Sequence, residues 1–418
     1  MLIEFSVTNY RSINECQTLS LVASEDVDNF WESHTFAAPN SKDLHLLKST
    51  AIYGPNASGK SNLVRALRTL QNIVINSASR MQEGDEFDVQ PFLMEYEIEQ
   101  SPFRMVFPNS ITEFNILFIQ NSIRYEYGVC LYKTHVIEEW LIAYPKQRAQ
   151  TWFTRKHNIK NQDLNPSSRG YEWSFPSLKG EKQRIKDLVR PNSLFLSHAA
   201  QNNHPQLLEV FNWFKTNLNV ITTLDSKKKH REYTAHKCIS DQDFKKKIVD
   251  LLNQSNNEIS NINFKDERIS FAYQPYKKGT PSRKAFSLSW SIDDESDGTQ
   301  RLFELGGVWI EALQDGKVIA IDELERSLHP TLARSLVEMF HNLETNPHHA
   351  QLIFTTHDTT LLDQDLFRQD QIWFTEKERQ KTHLYSLLEF RPREDESLQR
   401  GYLLGRYGAI PFVGGLKI

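Results

Sequence analysis

The chain has 418 residues, 39% of them hydrophobic and 24% charged, with 49 Lys and Arg against 53 Asp and Glu for a net charge of -4. That length suffices for one large domain or two ordinary ones with a substantial core. The slightly acidic balance excludes a globally basic nucleic-acid binder and leaves a local basic face open. Cys16, Cys130 and Cys238 are the only cysteines and form no CxxC pair, which excludes a disulfide framework and a thiolate zinc site and fits a reducing cytoplasm. No apolar run reaches the roughly 20 residues that a bilayer-spanning helix needs. The start, Met1-Leu2-Ile3-Glu4-Phe5, lacks the flank and cleavage site of a secretory signal and reads as a first strand. A cytoplasmic protein without membrane contact is expected.

In chain order, strands are expected over 2–9 and 49–53, then a glycine-rich turn, then a helix from Lys60 with Leu63, Leu67, Leu70 and Val74 on one face. From 87 to 143 the pattern alternates, as in Phe114-Asn115-Ile116-Leu117-Phe118-Ile119 and Ile137-Glu138-Glu139-Trp140-Leu141-Ile142, and predicts antiparallel strands. The stretch 180–265 reads as mainly helical, with buried faces marked by Leu207, Val210, Phe211 and Phe214 and by Ile248, Leu251 and Leu252. Its runs Lys227-Lys228-Lys229 and Lys245-Lys246-Lys247 fit either solvated helix ends or a surface for phosphate backbone or an acidic partner. From 286 onward, the short apolar strands Val318–Ile321 and Gln351–Thr355, separated by a helical segment, predict a parallel sheet covered on both faces. The expected class is α/β, a mixed sheet with a parallel core plus an antiparallel β-subdomain. The expected organisation is an N-terminal lobe over 1–180, a mainly helical insertion over 181–285 and a C-terminal lobe over 286–418.

Gly54-Pro55-Asn56-Ala57-Ser58-Gly59-Lys60-Ser61, followed by Asn62, satisfies the GxxxxGK[ST] pattern between a strand and a helix. Its glycines let backbone amides curl around phosphate at a helix N-terminus. Lys60 adds a cation toward the β- and γ-phosphates of ATP, and Ser61 offers a hydroxyl to Mg²⁺. Val318-Ile319-Ala320-Ile321-Asp322-Glu323 has the form of a Walker B strand. Asp322 is the expected magnesium ligand, and Glu323 the residue that orients or deprotonates the attacking water. His357, after Phe354-Thr355-Thr356, is placed to sense the γ-phosphate, and His329 in the intervening turn is open to a subunit contact. Glu295-Ser296-Asp297-Gly298-Thr299-Gln300-Arg301 opens a helix with the stripe Leu302, Leu305, Trp309 and Leu313. Ser296, Gly298 and Thr299 there suit an anion. Because the chain's own γ-phosphate is already surrounded, the expected client is a nucleotide on a second subunit. Arg11, in Asn9-Tyr10-Arg11-Ser12, is a candidate for the adenine or α-phosphate, and Gln90 for a glutamine coupling the lobes.

In this order the motifs resemble those of ABC-type ATPases of the SMC, RecF and OLD group. More narrowly, Asn192-Ser193-Leu194-Phe195-Leu196-Ser197 and Tyr402-Leu403-Leu404-Gly405-Arg406-Tyr407-Gly408-Ala409-Ile410-Pro411-Phe412 are similar to segments of the RloA/AbiL-type ATPases of bacterial anti-phage operons. The resemblance implies an ABC-type ATPase head closing as a homodimer around sandwiched ATP, with a higher assembly left open. It also implies slow, regulatory hydrolysis and control of a separately encoded effector such as an RloB-like, Toprim-type nuclease. It assigns Lys60 and Ser61 to phosphate and magnesium, Asp322 and Glu323 to magnesium and hydrolysis, His357 to γ-phosphate, and Ser296 and Gly298 to the partner's nucleotide. This chain departs from the pattern in reading Ser-Asp-Gly-Thr where the group has Ser-Gly-Gly. A DNA-clamping ATPase of repair or maintenance is the alternative, which keeps nucleic acid as a candidate partner. A transporter subunit is disfavoured by the inserted middle segment.

Overall fold

The computed structural model describes all residues except 42, 90–110, 158–169, 256–257, 266–267, 274–287, 394–395 and 412–418. Gln90 and Phe412 therefore lie outside the described residues.

Two large sheets organise the chain. One is antiparallel throughout and seven-stranded, running across Tyr171–Ser174, Gln150–His157, His135–Tyr144, Ile123–Tyr132, Thr112–Gln120, Leu2–Thr8 and Gln17–Ser20. The other is six-stranded, in the order Leu218–Ile221, Val318–Ile321, Gln351–Thr355, Ser49–Tyr53, Ile372–Glu378 and Lys381–Ser386. Its first five strands are parallel and the last pairs antiparallel, so the expected mixed sheet with a parallel core is present.

The parallel strands are apolar on consecutive residues because both of their faces are covered. Ile52, Val318, Ala320 and Ile353 point into one core, shared with the helix Lys60–Asn76 and the antiparallel sheet. Their neighbours Ala51, Tyr53, Ile319, Ile321, Leu352 and Phe354 point into a second core, shared with the helices Asp297–Asp315 and Pro330–His341. The period-two alternation of a strand thus divides one continuous apolar run between two cores.

The middle segment divides in the same way. The helices Gln183–Leu188, Phe195–Gln201 and Leu207–Asn212 contribute Ile185, Phe195, Leu207 and Val210 to the first core, and Phe244, Ile248 and Leu251 of the helix Gln242–Asn253 join the second. Between these groups, Leu218–Ile221 forms an edge strand of the parallel sheet. A small antiparallel sheet of Ile259–Lys265, Arg268–Tyr273 and Leu288–Ser291 then leads to the helix Asp297–Asp315. The expectation of a mainly helical 181–285 passed over Leu218–Ile221, Ile259–Lys265 and Arg268–Tyr273, which are short.

Asn192-Ser193-Leu194-Phe195-Leu196-Ser197 acquires a structural role as a junction behind the helix Lys60–Asn76. Buried Glu139 accepts from the amides of Phe195 and Leu196 at 2.8 and 3.1 Å, and so caps the helix they begin. Arg155, equally buried, lies 3.9 Å from Glu139 and donates to the carbonyls of Ser193 and Arg190. Ser197 Oγ donates to Val74 O at 2.5 Å, which ties this junction to the end of Lys60–Asn76.

Candidate nucleotide site

The loop 54–61 joins the strand Ser49–Tyr53 to the helix Lys60–Asn76 as its motif requires. Gly54 and Gly59 have φ of 154° and 110°, and a Cβ on either would collide with Thr375 or Thr382. A side chain is therefore excluded twice over, by backbone conformation and by space. The hairpin behind the loop also holds it by hydrogen bonds. Ser58 Oγ and Thr375 Oγ1 are hydrogen-bonded at 2.6 Å, and Thr382 Oγ1 donates to Ser58 O at 2.8 Å. Ser12 completes the fastening, since its Oγ lies 2.7 Å from Thr382 Oγ1 and accepts from Asn62 Nδ2 at 2.7 Å. Its neighbour Arg11, at φ 52°, donates from Nε to Tyr10 OH at 3.2 Å. Among the described residues no side chain caps the helix N-terminus at Gly59, an arrangement that suits an anion there.

Lys60 is buried and donates to Gly54 O and Pro55 O at 2.6 and 3.0 Å. Loss of hydration pulls its pKa down to about 8, against the opposing pull of Asp322, Glu325 and Glu323. Those carboxylates come from the end of Val318–Ile321, two strands away in the sheet. Asp322 is 1% exposed and its Oδ1 accepts from Thr355 Oγ1 at 2.8 Å. The same hydroxyl accepts from Glu323 N at 2.8 Å, with Glu323 at φ 56°. One threonine at the end of the neighbouring strand thus holds the Asp322 carboxylate and the Glu323 backbone.

His357 follows that neighbouring strand. Its backbone N donates to Glu325 Oε1 at 2.6 Å, and its exposed ring has a lowered pKa through partial desolvation and the charge of Lys60, opposed by Glu325, Glu323 and Asp322. Lys60, Asp322, Glu323, Glu325 and His357 therefore form one electrostatic cluster at the carboxyl edge of the parallel sheet. The turn 295–301 that opens Asp297–Asp315, the signature turn, sits against Ser327, whose carbonyl lies 3.1 Å from a Cβ built on Gly298. Ser296 is the N-cap of Asp297–Asp315 and accepts from Thr299 N at 3.2 Å, a contact that stabilises a helix by about 1 kcal/mol. His329 has a comparable local task, capping Pro330–His341 by accepting from Thr331 N.

The residues present fit a magnesium nucleotide: an uncapped helix start behind a glycine cradle, a buried ammonium, a hydroxyl at Ser61 and a buried carboxylate at Asp322. Sequence reasoning missed Ser12, Glu325, Thr355, Thr375 and Thr382. Glu325 and Thr355 lie inside recognised motifs, whereas the hairpin threonines belong to no motif and meet the loop only in the folded sheet.

Residues 49–363 match the family model described as "AAA domain, putative AbiEii toxin, Type IV TA system". The chain belongs to this AAA-domain family. The fold of this AAA-domain protein is α/β, a mixed sheet with a parallel core beside an antiparallel sheet. No curated protein matches the sequence. Among solved structures it is similar to the SMC head domain from Thermotoga maritima, at 12% identity over 92% of this chain and 98% of that one, with a TM-score of 0.39. It is also similar to an Smc head with an extended coiled coil bound to the C-terminal domain of ScpA, derived from Pyrococcus furiosus, at 11% identity over 97% and 98% of the two chains, with a TM-score of 0.42. Among the described residues of this AAA-domain protein, no helix is long and apolar enough to cross a membrane, and no cluster of three or more His, Cys, Asp or Glu is arranged to hold a metal on its own.

Proposed function

We propose that the protein is an ATP-hydrolysing switch whose two nucleotide sites are each completed by the signature turn of a second copy. The observation that carries this reading is the convergence of Lys60, Asp322, Glu323 and His357 at one sheet edge, with Ser296 and Gly298 placed on a separate helix start. Lys60 and the loop amides bind the phosphates, Ser61 and Asp322 hold magnesium, and Glu323 takes the proton of the attacking water. Bound magnesium supplies charge neutralisation on the β- and γ-phosphates. ATP favours the closed pair only because that state adds the contacts of Ser296, Gly298 and Thr299, so the signal is the differential affinity of the two states.

The biological setting we infer is bacterial anti-phage defence of the RloA/AbiL type, acting in the cytoplasm on a separately encoded nuclease effector. The sequence resemblance of the segments 192–197 and 402–412 supports it. Recovery of the neighbouring gene's product with the tagged protein is the expected result, and its consistent absence would overturn the effector assignment. For the switch itself, Glu323→Gln is expected to retain ATP binding, to lose at least roughly a hundredfold in turnover, and to elute as a dimer with ATP. Turnover equal to wild type would contradict the assignment of Glu323 as base.

Exposed Lys227, Lys228 and Lys229 favour the DNA-clamping reading. Salt-dependent DNA binding that Lys→Glu changes at these positions abolish would select it.

A further inference from the structure

One helix outside the nucleotide site bridges the Walker B carboxylate and the signature helix. The edge strand Leu218–Ile221 is held from the nucleotide-binding helix by Arg68, which donates to Val220 O at 3.0 Å, and by Gln71, which donates to Leu218 O at 2.6 Å. Immediately beyond the strand, Thr223 Oγ1 donates to Asp322 Oδ2 at 3.4 Å. The loop then closes on Asp225. Its Oδ2 accepts from Thr222 N at 2.7 Å, and its Oδ1 accepts from Arg68 Nη2 at 3.1 Å.

From this loop the helix Lys227–Ser240 runs along Asp297–Asp315 and is locked to it at three levels. Nearest the signature turn, Arg231 donates to Glu304 Oε1 at 3.0 Å, to Gln300 Oε1 at 2.5 Å and to Asp293 Oδ1 at 2.6 Å. Gln300 in turn donates to Glu295 O at 2.7 Å, directly ahead of Ser296. In the middle, Gly307 N donates to Thr234 Oγ1 at 3.2 Å, and the absence of a side chain at Gly307 permits that approach. At the far level, Lys237 and Tyr233 both donate to Glu311 at 2.5 Å. Helices pinned at three points move together.

Asp322 has two oxygens in unequal bonds. Thr355 holds one at 2.8 Å, while Thr223 makes a long contact of 3.4 Å with the other, beyond the usual range of a hydroxyl bond. Any reorientation of this carboxylate on nucleotide loading falls on the Thr223 contact. Because Asp225 and Arg68 hold the loop closed, the displacement passes into Lys227–Ser240.

We infer that Thr223 is a positioning residue that reads the state of Asp322, and that the helix Lys227–Ser240, through Arg231, sets the signature turn 293–300 offered to a second copy. The inference rests on the two-chain reading above. It gives the helix bearing the lysine run a mechanical task, and it assigns the coupling sought at Gln90 to a threonine beside the Walker B strand.

The test uses the full chain in the Glu323→Gln background, with fluorescent ATP analogue binding and ATP-dependent dimerisation by sedimentation measured side by side. Thr223→Val and Arg231→Lys are each expected to raise the protein concentration needed for dimerisation roughly tenfold while nucleotide affinity changes less than about threefold. Thr223→Ser, which keeps the hydroxyl, should restore dimerisation. If Thr223→Val dimerises like its parent, or if Thr223→Ser fails alongside it, the inference falls and the two-chain reading stands. If the Glu323→Gln parent itself stays monomeric with ATP, both fall together.

Discussion

Lys60 sits under two opposed pressures: burial strips water from its ammonium, and three nearby carboxylates pull its proton back. The net result is a pKa of about 8 in the folded chain, against 10.5 for the free side chain. The unfolded chain therefore binds this proton more tightly, so the group's cost to stability is full below pH 8 and is relieved as pH rises from 8 toward 10.5. Phosphate binding reverses the bias, because an anion beside the ammonium favours its charged form. ATP affinity is accordingly expected to weaken as pH rises above 8. Calorimetry at pH 8.5 in buffers of different ionisation heat should show proton uptake on binding. Lys60→Ala is expected to lose ATP binding by roughly a hundredfold or more. Binding by the wild type without any proton exchange would show that Lys60 does not titrate in this range.

At the scale of elements, the buried pair of Glu139 and Arg155 fixes the junction behind the nucleotide-binding helix. Arg155→Met leaves Glu139 buried with its two amides and Tyr127 but without its cation, and is expected to destabilise the fold by about 3 kcal/mol in denaturant titrations. Adding Glu139→Gln should recover part of that loss. Strict additivity of the two losses would show that the pair is not coupled. The same elements show what the sequence could and could not reveal. The strand, loop and helix around Lys60 were legible because glycine spacing and apolar periodicity are local signals. Asp322 and His357 were legible because each ends an apolar strand. Leu218–Ile221 was not, since four residues after a helical stripe carry no period of their own, and their partner Val318–Ile321 is distant in the chain. Thr375 and Thr382 escaped notice for a related reason: a lone threonine on an alternating strand has no signature until the sheet sets it under Ser58.

At the scale of the whole molecule, the first residues and the last third are interlocked. His34 stacks on His341 with ring centroids 3.6 Å apart, its Nδ1 lies 2.8 Å from Gln371 Oε1, and His341 Nε2 lies 2.7 Å from Ser49 Oγ at the start of the nucleotide-binding strand. Burial lowers the pKa of His34 to about 4, with the charges of Arg368 and Lys48 acting in the same sense and the Gln371 bond opposing. His341 is pushed the same way by burial, His34 and Lys48. Histidine in the unfolded chain binds its proton near pH 6.5, so the stability from the neutral pair is complete above that value and drains away as pH falls from 6.5 to about 4. The His34 gap alone is worth on the order of 3 kcal/mol. Urea midpoints taken from pH 7.5 to 4.5 should fall steeply in the wild type and less steeply in His34→Gln. Equal slopes would show that the pair is not held neutral.

The strand Ser49–Tyr53 lies between Gln351–Thr355 and Ile372–Glu378, so both of its neighbours are synthesised long after it. Leu2 waits in the same way for Gln351, which binds both its N–H and its C=O across 349 positions. During translation, the glycine cradle emerges early on a strand without hydrogen-bonding neighbours and with apolar faces uncovered. Pairing at such sequence distance is slow and exposes the nascent chain to aggregation. The nucleotide site is thus a late product of folding, and ribosome-bound chains ending before about residue 350 should need chaperone protection and fail to retain ATP.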